Sequence, residues 1–382
     1  MMKPLLLWSD SLILLLLAAL AALLWLARHN EALRGHWRQV MRSRVGRVTA
    51  LILSLYIGIG LLDSAHYVER LPAAPGQPAP FSGEVRSALD WLLTPIRVSV
   101  EKTYSAPLAE RLYAKESVMG PDGVERRDYP RLLHPGAHWF GTDKVGQDVL
   151  YLSLKSIRTG LLIGSLTTLV MLPFALGLGI SAGYFGGRVD DIIQYLYTTL
   201  NSIPGVLLIA AAVLVVQVQI EAHAELFNTA AARSDVRLLA LCGILGVTGW
   251  TGLARLLRAE SLKLRELEFV LAARAFGVGH GRILLRHLLP NVMHLVLITV
   301  VLDFSGLVLA EAVLSYVGVG VDPGMISFGN MINGARLELA REPVVWWQLA
   351  ASFLFMFVLV LAANLFADQV RVALDPKSRG RA

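Results

Sequence analysis

Two histidines stand four positions apart, at His134 and His138, a spacing that can place two metal ligands on one face of a helix. Pro135 and Gly136 lie between them and disfavour a helix, so we predict no metal site there. Cys242 is the single cysteine and falls within an apolar run. A disulfide framework or a Cys-rich metal site is therefore excluded within one chain.

The sequence lacks the motifs that bind ATP or that predict catalysis. The sequence has no Gly-x-x-x-x-Gly-Lys-Ser/Thr segment, which is the loop that cradles the phosphates of a bound nucleotide. No Ser, His and Asp set has a spacing that predicts nucleophilic catalysis. We therefore predict a protein that is not an enzyme and binds no cofactor directly. Partner subunits would supply the energy for any driven work.

Three polar residues inside apolar runs are candidates for a translocation path: Asn201, Ser202 and Asp303. A carboxylate at membrane depth costs about 2.5 to 3.5 kcal/mol on insertion scales, so Asp303 either lines a hydrated cavity or pairs with a neighbouring helix, and pairing is favoured. Asn201 and Ser202 precede Pro204, which can kink a helix. They either face a water-filled path or bind an adjacent helix.

Long apolar runs must position these residues. Of the 382 residues, 55% are hydrophobic and 17% charged, against roughly 25% charged in a soluble domain. A bilayer span needs roughly 20 apolar residues in helix. The sequence therefore predicts an all-α polytopic membrane helix bundle with about seven spans and a small outer insert. The predicted spans are 5–27, 48–62, 160–183, 192–216, 238–257, 288–314 and 345–367.

Positive charge predicts the orientation of the spans. Lys and Arg cluster in 28–47, in 255–286 and after Val370, and cytoplasmic loops carry such an excess. We therefore predict that these segments and the C-terminus are cytoplasmic. The first apolar run follows Lys3 and could be a signal peptide. Asp10 interrupts it and arginines follow directly, so a retained span is favoured.

The chain divides into four regions. Residues 1–62 form an N-terminal two-span region with a basic cytoplasmic loop, and 63–157 form an extracytoplasmic insert. Residues 158–376 form the core with an inner loop at 258–289, and 377–382 are a tail. Within the insert, the apolar periodicity of residues 85–104 predicts either an amphipathic helix on the membrane surface or a cap on the bundle. Acidic and basic residues nearly balance there, which argues against nucleic-acid binding.

The inner loop has a helix, glycine turn, helix pattern. Residues 262–276 have helical periodicity, glycines at 277, 279 and 281 end that helix, and 282–288 can form a second short helix. Small side chains at Ala272 and Ala273 allow another surface to approach closely, and Pro290 suits the first turn of the next span. A basic loop that binds anionic lipid would explain the arginines, but not the alanines, glycines and proline together.

The loop sequence "EFVLAARAFGVGHGRILLRHLLPN" resembles the cytoplasmic loop of permease subunits of ATP-binding-cassette importers, in the dipeptide/oligopeptide/nickel branch. That family's motif is Glu-Ala-Ala, three residues, Gly, and then a downstream Leu-Pro. Ala272, Ala273, Gly277, Leu289 and Pro290 stand at those positions, and a leucine replaces the Glu. Segments 141–148, 182–191, 311–331 and 364–376 are similar to the same branch, in the same order.

The resemblance implies a permease in the bacterial inner membrane that forms half of the pathway for peptides or a similar small solute. Implied partners are a second homologous permease, two cytoplasmic ATPase subunits that use ATP, an extracytoplasmic substrate-binding protein and membrane lipid. The alternatives are a permease for nickel or another metal chelate, and a non-transport membrane scaffold. The residues expected to couple the loop to an ATPase are Glu268, Ala272, Ala273, Arg274, Phe276, Gly277, Arg282 and Pro290.

Overall fold

The computed structural model describes residues 2–29, 31–70, 81–119, 125–223, 225 and 229–374. The helices are α1 (Trp8–His29), α2 (Glu31–Arg42), α3 (Arg44–Ser64), α4 (Ala88–Leu92), α5 (Thr94–Val98), α6 (Val149–Phe185), α7 (Gly187–Ser202), α8 (Gly205–Ala222), α9 (Ala230–Gly249), α10 (Thr251–Leu264), α11 (Glu268–Ala275), α12 (His280–Ile283), α13 (Leu289–Val317), α14 (Phe328–Ala335) and α15 (Trp347–Leu374). The strands are β1 (Met2–Pro4), β2 (His66–Arg70), β3 (Phe81–Ser87), β4 (Glu116–Met119) and β5 (Glu125–Asp128).

Among the described residues, six helical segments are long and apolar enough to span a membrane. They comprise α3, α6, α8, α9 with α10, α12 through α13, and α15. The apolar stretch Trp8–Ala18 of α1 is shorter, although the whole helix has 22 residues. The prediction of a mostly helical polytopic bundle is confirmed.

The predicted span 192–216 is wrong as a single helix. The helix is interrupted at Ile203 and Pro204, which separate α7 from α8. Ile203 has an extended backbone, with φ −93° and ψ 130°, because the ring of a following proline disfavours the helical conformation. The two pieces differ in character: α7 is amphipathic, whereas α8 is mainly apolar and is long enough to span a membrane by itself.

Helix α6 runs through the bundle and packs against α3, α9, α10 and α13. Its contact with α10 depends on two glycines spaced four residues apart. A Cβ on Gly179 would lie 2.7 Å from the carbonyl oxygen of Ala254, and one on Gly183 would lie 2.5 Å from that of Arg258. The two backbones therefore meet directly, as in other membrane helix pairs with small residues at this spacing.

The sequence did not predict any strands: β1 lies near the N-terminus, and β2 to β5 lie in the insert. Strands β1, β2 and β3 form an antiparallel sheet in that order, and β4 pairs with β5 as a hairpin. The amphipathic helix predicted at 85–104 is wrong. Phe81–Ser87 is a strand, and Ser87 then caps the short helix α4 by a capping box with Asp90.

Buried ion pairs join this insert to the bundle. The Lys155 ammonium of α6 lies 2.8 Å from Asp90 and 3.0 Å from Asp63. Burial raises the pKa of Asp90, but the Lys155 charge and hydrogen bonds from Lys155, Tyr151 and Ser87 outweigh burial and hold the pKa below its ordinary value. The C-terminal end of α3, the short helix α4 and the first turns of α6 are thus held by one polar cluster.

A second buried pair attaches the N-terminal helix. Arg158 of α6 donates to Asp10 of α1 at 2.7 Å, and His66 of β2 lies 2.7 Å from the other oxygen of that carboxylate. The backbone N–H of Ser9 donates to Asp235 of α9 at 3.0 Å. The first turn of α1 is therefore fixed to the sheet and to two core helices.

The segment that precedes α6 is held by buried side chains. His138 Nδ1 lies 2.8 Å from the carboxylate of Asp148, which also caps α6. Trp347 at the start of α15 donates to the carbonyl of Thr142 at 2.9 Å. Helix α6 therefore begins at Val149, earlier than the core boundary predicted at residue 158.

Candidate functional site

The loop between α10 and α13 lies at the end of α6 that is opposite the insert. Its first helix is shorter than predicted, because α10 ends at Leu264 and the short helix α11 starts at Glu268. The Arg265 guanidinium donates to the carbonyl of Gly183 at 3.3 Å, so this connection is fixed to the end of α6. Leu267 then has an extended backbone and sets the direction of α11.

A glycine turn ends α11 as the sequence predicted. Gly277 has φ +74°, its N–H donates to the carbonyl of Arg274, and the next N–H, of Val278, donates to the carbonyl of Ala273. These two bonds form a Schellman motif, which satisfies the last carbonyls of a helix. No atom lies within 4 Å of a Cβ built on Gly277. Its left-handed backbone is therefore the reason for glycine here.

One side of α11 is buried against the bundle. Val270 and Ala273 pack into a core that includes Ile283 and Tyr184. Ala273 is 8% exposed. The small side chain of Ala273 lets α11 lie close to its own bundle, whereas Ala272 faces outward. The coupling role expected for Ala273 stays a prediction.

The other side of α11 is exposed and apolar. Phe276 is 87% exposed at the tip, and Leu271 and Phe269 are also exposed. Ala272 and Glu268 belong to the same exposed face. A large aromatic side chain that extends from a rigid helix end is the kind of residue that anchors a protein interface.

Aromatic contacts hold this loop in place. The Arg274 guanidinium lies 5.8 Å from the centre of the Tyr184 ring, and the Tyr184 hydroxyl lies 2.9 Å from Nδ1 of His280. Tyr184 belongs to the last turn of α6, so α11 and α12 are both attached to that helix. Arg282 is exposed, at the start of the second helical segment.

The second helix of the loop is not a separate short element, contrary to expectation. It begins at His280, includes Gly281, and continues through a π-helical turn at Leu284–Leu288 into α13. Pro290 lies in the first turn of α13, as predicted, where its missing N–H breaks few helical bonds. The loop is thus joined to a membrane span without a flexible link.

Sequence reasoning missed the ion pair that supports this loop from the side. Arg258 of α10 donates to both carboxylate oxygens of Asp190 in α7, at 2.5 and 2.6 Å. The hydrogen bond from Arg258 lowers the pKa of Asp190. Asp190 follows the turn "AGYFGG" in the sequence. The four-residue spacing of Gly179 and Gly183 was a local signal in the sequence that α6 packs closely against another helix here.

The three candidates for a translocation path are not brought together by any described contact. Asn201 accepts a hydrogen bond from Thr251 at 3.2 Å, which joins the end of α7 to the start of α10. Ser202 donates to the carbonyl of Thr199. Asp303 is half-buried in α13, and the described part of the chain supplies no hydrogen bond or ion pair to it. The interhelical pairing that was favoured for Asp303 is therefore not found in this part of the chain.

Comparison with known proteins gives consistent results. The family described as "Binding-protein-dependent transport system inner membrane component" matches residues 175–380. The chain is 31% identical over 261 residues to the "Oligopeptide transport system permease protein OppC" of Mycobacterium tuberculosis, which covers 68% of this chain and 83% of the relative. It is 31% identical over 263 residues to the "Dipeptide transport system permease protein DppC" of Bacillus subtilis, covering 68% and 76%.

A solved structure titled as inward-facing conformations of the MetNI methionine ABC transporter is also similar, at 16% identity and a TM-score of 0.42, over 59% of this chain and 98% of that one. The family match and the relatives, rather than this structure, carry the assignment. They confirm the resemblance read from the loop: the chain belongs to the family of binding-protein-dependent transport system inner membrane components.

Proposed function

We propose that this chain forms half of the pathway of an ATP-driven peptide importer, and that an ATPase subunit binds α11. The observation that carries the proposal is the Phe276 side chain, exposed on a helix whose other side is buried in the bundle. Relatives whose names denote oligopeptide and dipeptide permeases support peptides as the solute.

The continuous helix from the loop into α13 supports a mechanical role. Coupling between distant sites requires a rigid element whose position both sites can bias. Movement of α11 would pass through α12 and the π-helical turn directly into the span, and through Tyr184 into α6. We propose that ATP-driven closure of two ATPases moves this loop, together with that of a second homologous permease, and so opens the pathway to the outside.

The proposed orientation places α11 and the C-terminus in the cytoplasm and the insert outside. Arginines at 255, 258, 265, 274, 282 and 286 support this orientation, because cytoplasmic segments are rich in positive charge. An extracytoplasmic binding protein would then deliver the solute on the side of the insert.

The proposal is tested with Phe276→Ala in the assembled importer. We expect the ATPase subunits to dissociate from the permease during purification and ATP-driven peptide uptake to fall, because the anchoring side chain of the interface is lost. Leu337→Ala is the matched control, since Leu337 is 72% exposed on the connection between α14 and α15, at the opposite end of the bundle. Wild-type ATPase retention and uptake in Phe276→Ala would contradict the assignment of α11.

A further inference from the structure

An apolar cavity of about 490 Å³ lies at membrane depth between the N-terminal helices and the core. Helices α1 and α3 form one side, and α6, α13 and α15 form the other. Its walls are mainly aliphatic and aromatic, with Ile13, Leu53, Ile57, Leu161 and Phe304 among them. Neither the loop with α11 nor the candidate path residues belong to these walls.

The size of the cavity argues against an empty space. Cavities of about 150 Å³ with apolar walls already bind small apolar molecules while staying dry. This cavity is roughly three times larger. Atoms that line a void lose dispersion contacts on one side, so an apolar occupant would stabilise the surrounding helices.

The polar groups on the walls already have partners. The Ser165 hydroxyl donates to the carbonyl of Leu161 at 2.6 Å, and the Thr168 hydroxyl donates to that of Gly164 at 2.7 Å. At the outer end, Arg158 is neutralised by its ion pair with Asp10. Water or a charged solute would find few groups to bind, so the walls favour hydrocarbon.

The length of the cavity indicates the form of its occupant. Its wall on α6 extends from Arg158 to Leu172, fourteen residues along the helix. At 1.5 Å per residue this is about 21 Å. One leaflet of a bilayer has a hydrocarbon depth of about 15 Å. The apolar space is therefore long enough to hold an extended hydrocarbon chain that enters from one leaflet of the surrounding membrane.

Helix α1 borders the cavity along one side. Its first turn is fixed by the bonds of Ser9 and Asp10 to the core. Further along the helix, Ile13 and Leu16 pack partly against the core and, with Leu17, also line the cavity. We propose that the acyl chain of a membrane phospholipid occupies this cavity and completes the packing between the N-terminal helices and the permease core. The proposal is independent of the transported solute and of ATP coupling.

The experiment uses the assembled importer in nanodiscs whose phosphatidylethanolamine carries a photoactivatable diazirine in the middle of one acyl chain. After illumination, peptide mass spectrometry locates the labelled residues. Leu161 lies on the cavity wall, is partly accessible and faces Gly60 of α3, so label there reports a chain inside the cavity. We expect labelling of Leu161 in the wild-type protein.

Two variants of α3 form a matched pair. Leu53→Trp fills the cavity from its wall, whereas Leu51→Trp adds the same side chain at a position that is 71% exposed. We expect the label on Leu161 to be lost in Leu53→Trp and retained in Leu51→Trp. Equal labelling in both variants would overturn the proposal.

A second measurement does not depend on how the variants fold. Native mass spectrometry of the wild-type importer, after exchange into detergent, should show a retained adduct with the mass of a phospholipid. A wild-type protein that releases every phospholipid and shows no label on Leu161 would also overturn the proposal. Ser165→Phe fills the cavity from the opposite wall and should reproduce the loss of label.

Discussion

The two ends of this molecule differ in the burial of their charged side chains. At the end with the insert, charged residues are buried and paired, as in the contacts of Lys155 with Asp90 and of Arg158 with Asp10. At the other end, Phe276 and Leu271 are exposed on α11. The buried pairs fix the insert to the bundle, whereas the exposed face of α11 supports the proposal that an ATPase subunit binds there.

The largest expected effect is the loss of transport in Gly277→Pro. Proline fixes φ near −65°, whereas Gly277 has φ +74° and donates its N–H to Arg274, so the turn after α11 cannot form. ATP-driven uptake should fall to background while the protein still inserts in the membrane. Gly279→Ala is the control, because Gly279 has φ −60° and open space around it. Normal coupled uptake by Gly277→Pro would show that α11 does not transmit motion.

Removal of the buried cation at the insert end should give the next largest effect. Lys155→Met leaves Asp90 and Asp63 without their charge partner, and breaking such a pair typically costs about 3 to 5 kcal/mol. Thermal unfolding of the purified complex should shift to lower temperature. The exposed pair of Lys102 and Glu116 gives a control, since Lys102→Met should change stability by less than about 1 kcal/mol. Equal shifts in both variants would contradict a bracing role.

A smaller effect is expected from the pair beside the loop. A double-mutant cycle on Asp190→Asn and Arg258→Gln should give a coupling energy of about 1 kcal/mol in thermal stability, because the two side chains share two hydrogen bonds. Uptake should fall moderately in each single variant and no further in the double variant. Strictly additive losses would mean that the two residues do not act together.

The smallest effect is a pH dependence of the insert. The pKa of Asp90 is held below its ordinary value, so its ionised form stabilises the folded insert at neutral pH, and this stability is lost as pH falls through the lowered pKa. Hydrogen exchange of β3 and α4 should therefore accelerate below about pH 4. Asp90→Asn should remove the acid-dependent part of that change. An unchanged profile in Asp90→Asn would assign the acid sensitivity to another group.

Hydropathy predicted most spans because length and apolar character suffice for them, as α13 and α15 demonstrate. It failed at Pro204, since α7 and α8 are both apolar enough to be merged into one run. It also missed the sheet of the insert, where β1 pairs with residues far along the chain. Such distant pairings leave little trace in local periodicity.

The loop was predicted from its sequence motif, and the turn at Gly277 was predicted because glycines end helices. The direction in which the Ala273 side chain points could not be predicted, because it depends on where Ile283 and Tyr184 lie in three dimensions. The ion pair of Asp190 with Arg258 was hidden for the same reason, since 68 residues separate its members.

Helix α6 has 37 residues and is therefore about 55 Å long, whereas a bilayer with its headgroups is about 40 to 45 Å thick. An upright rod of this length must stand clear of the membrane, at one surface or both. The sheet of the insert is attached near one of its tips and Tyr184 near the other. A small tilt imposed at the Tyr184 tip would therefore displace the far tip by a distance that grows with the whole length of the rod.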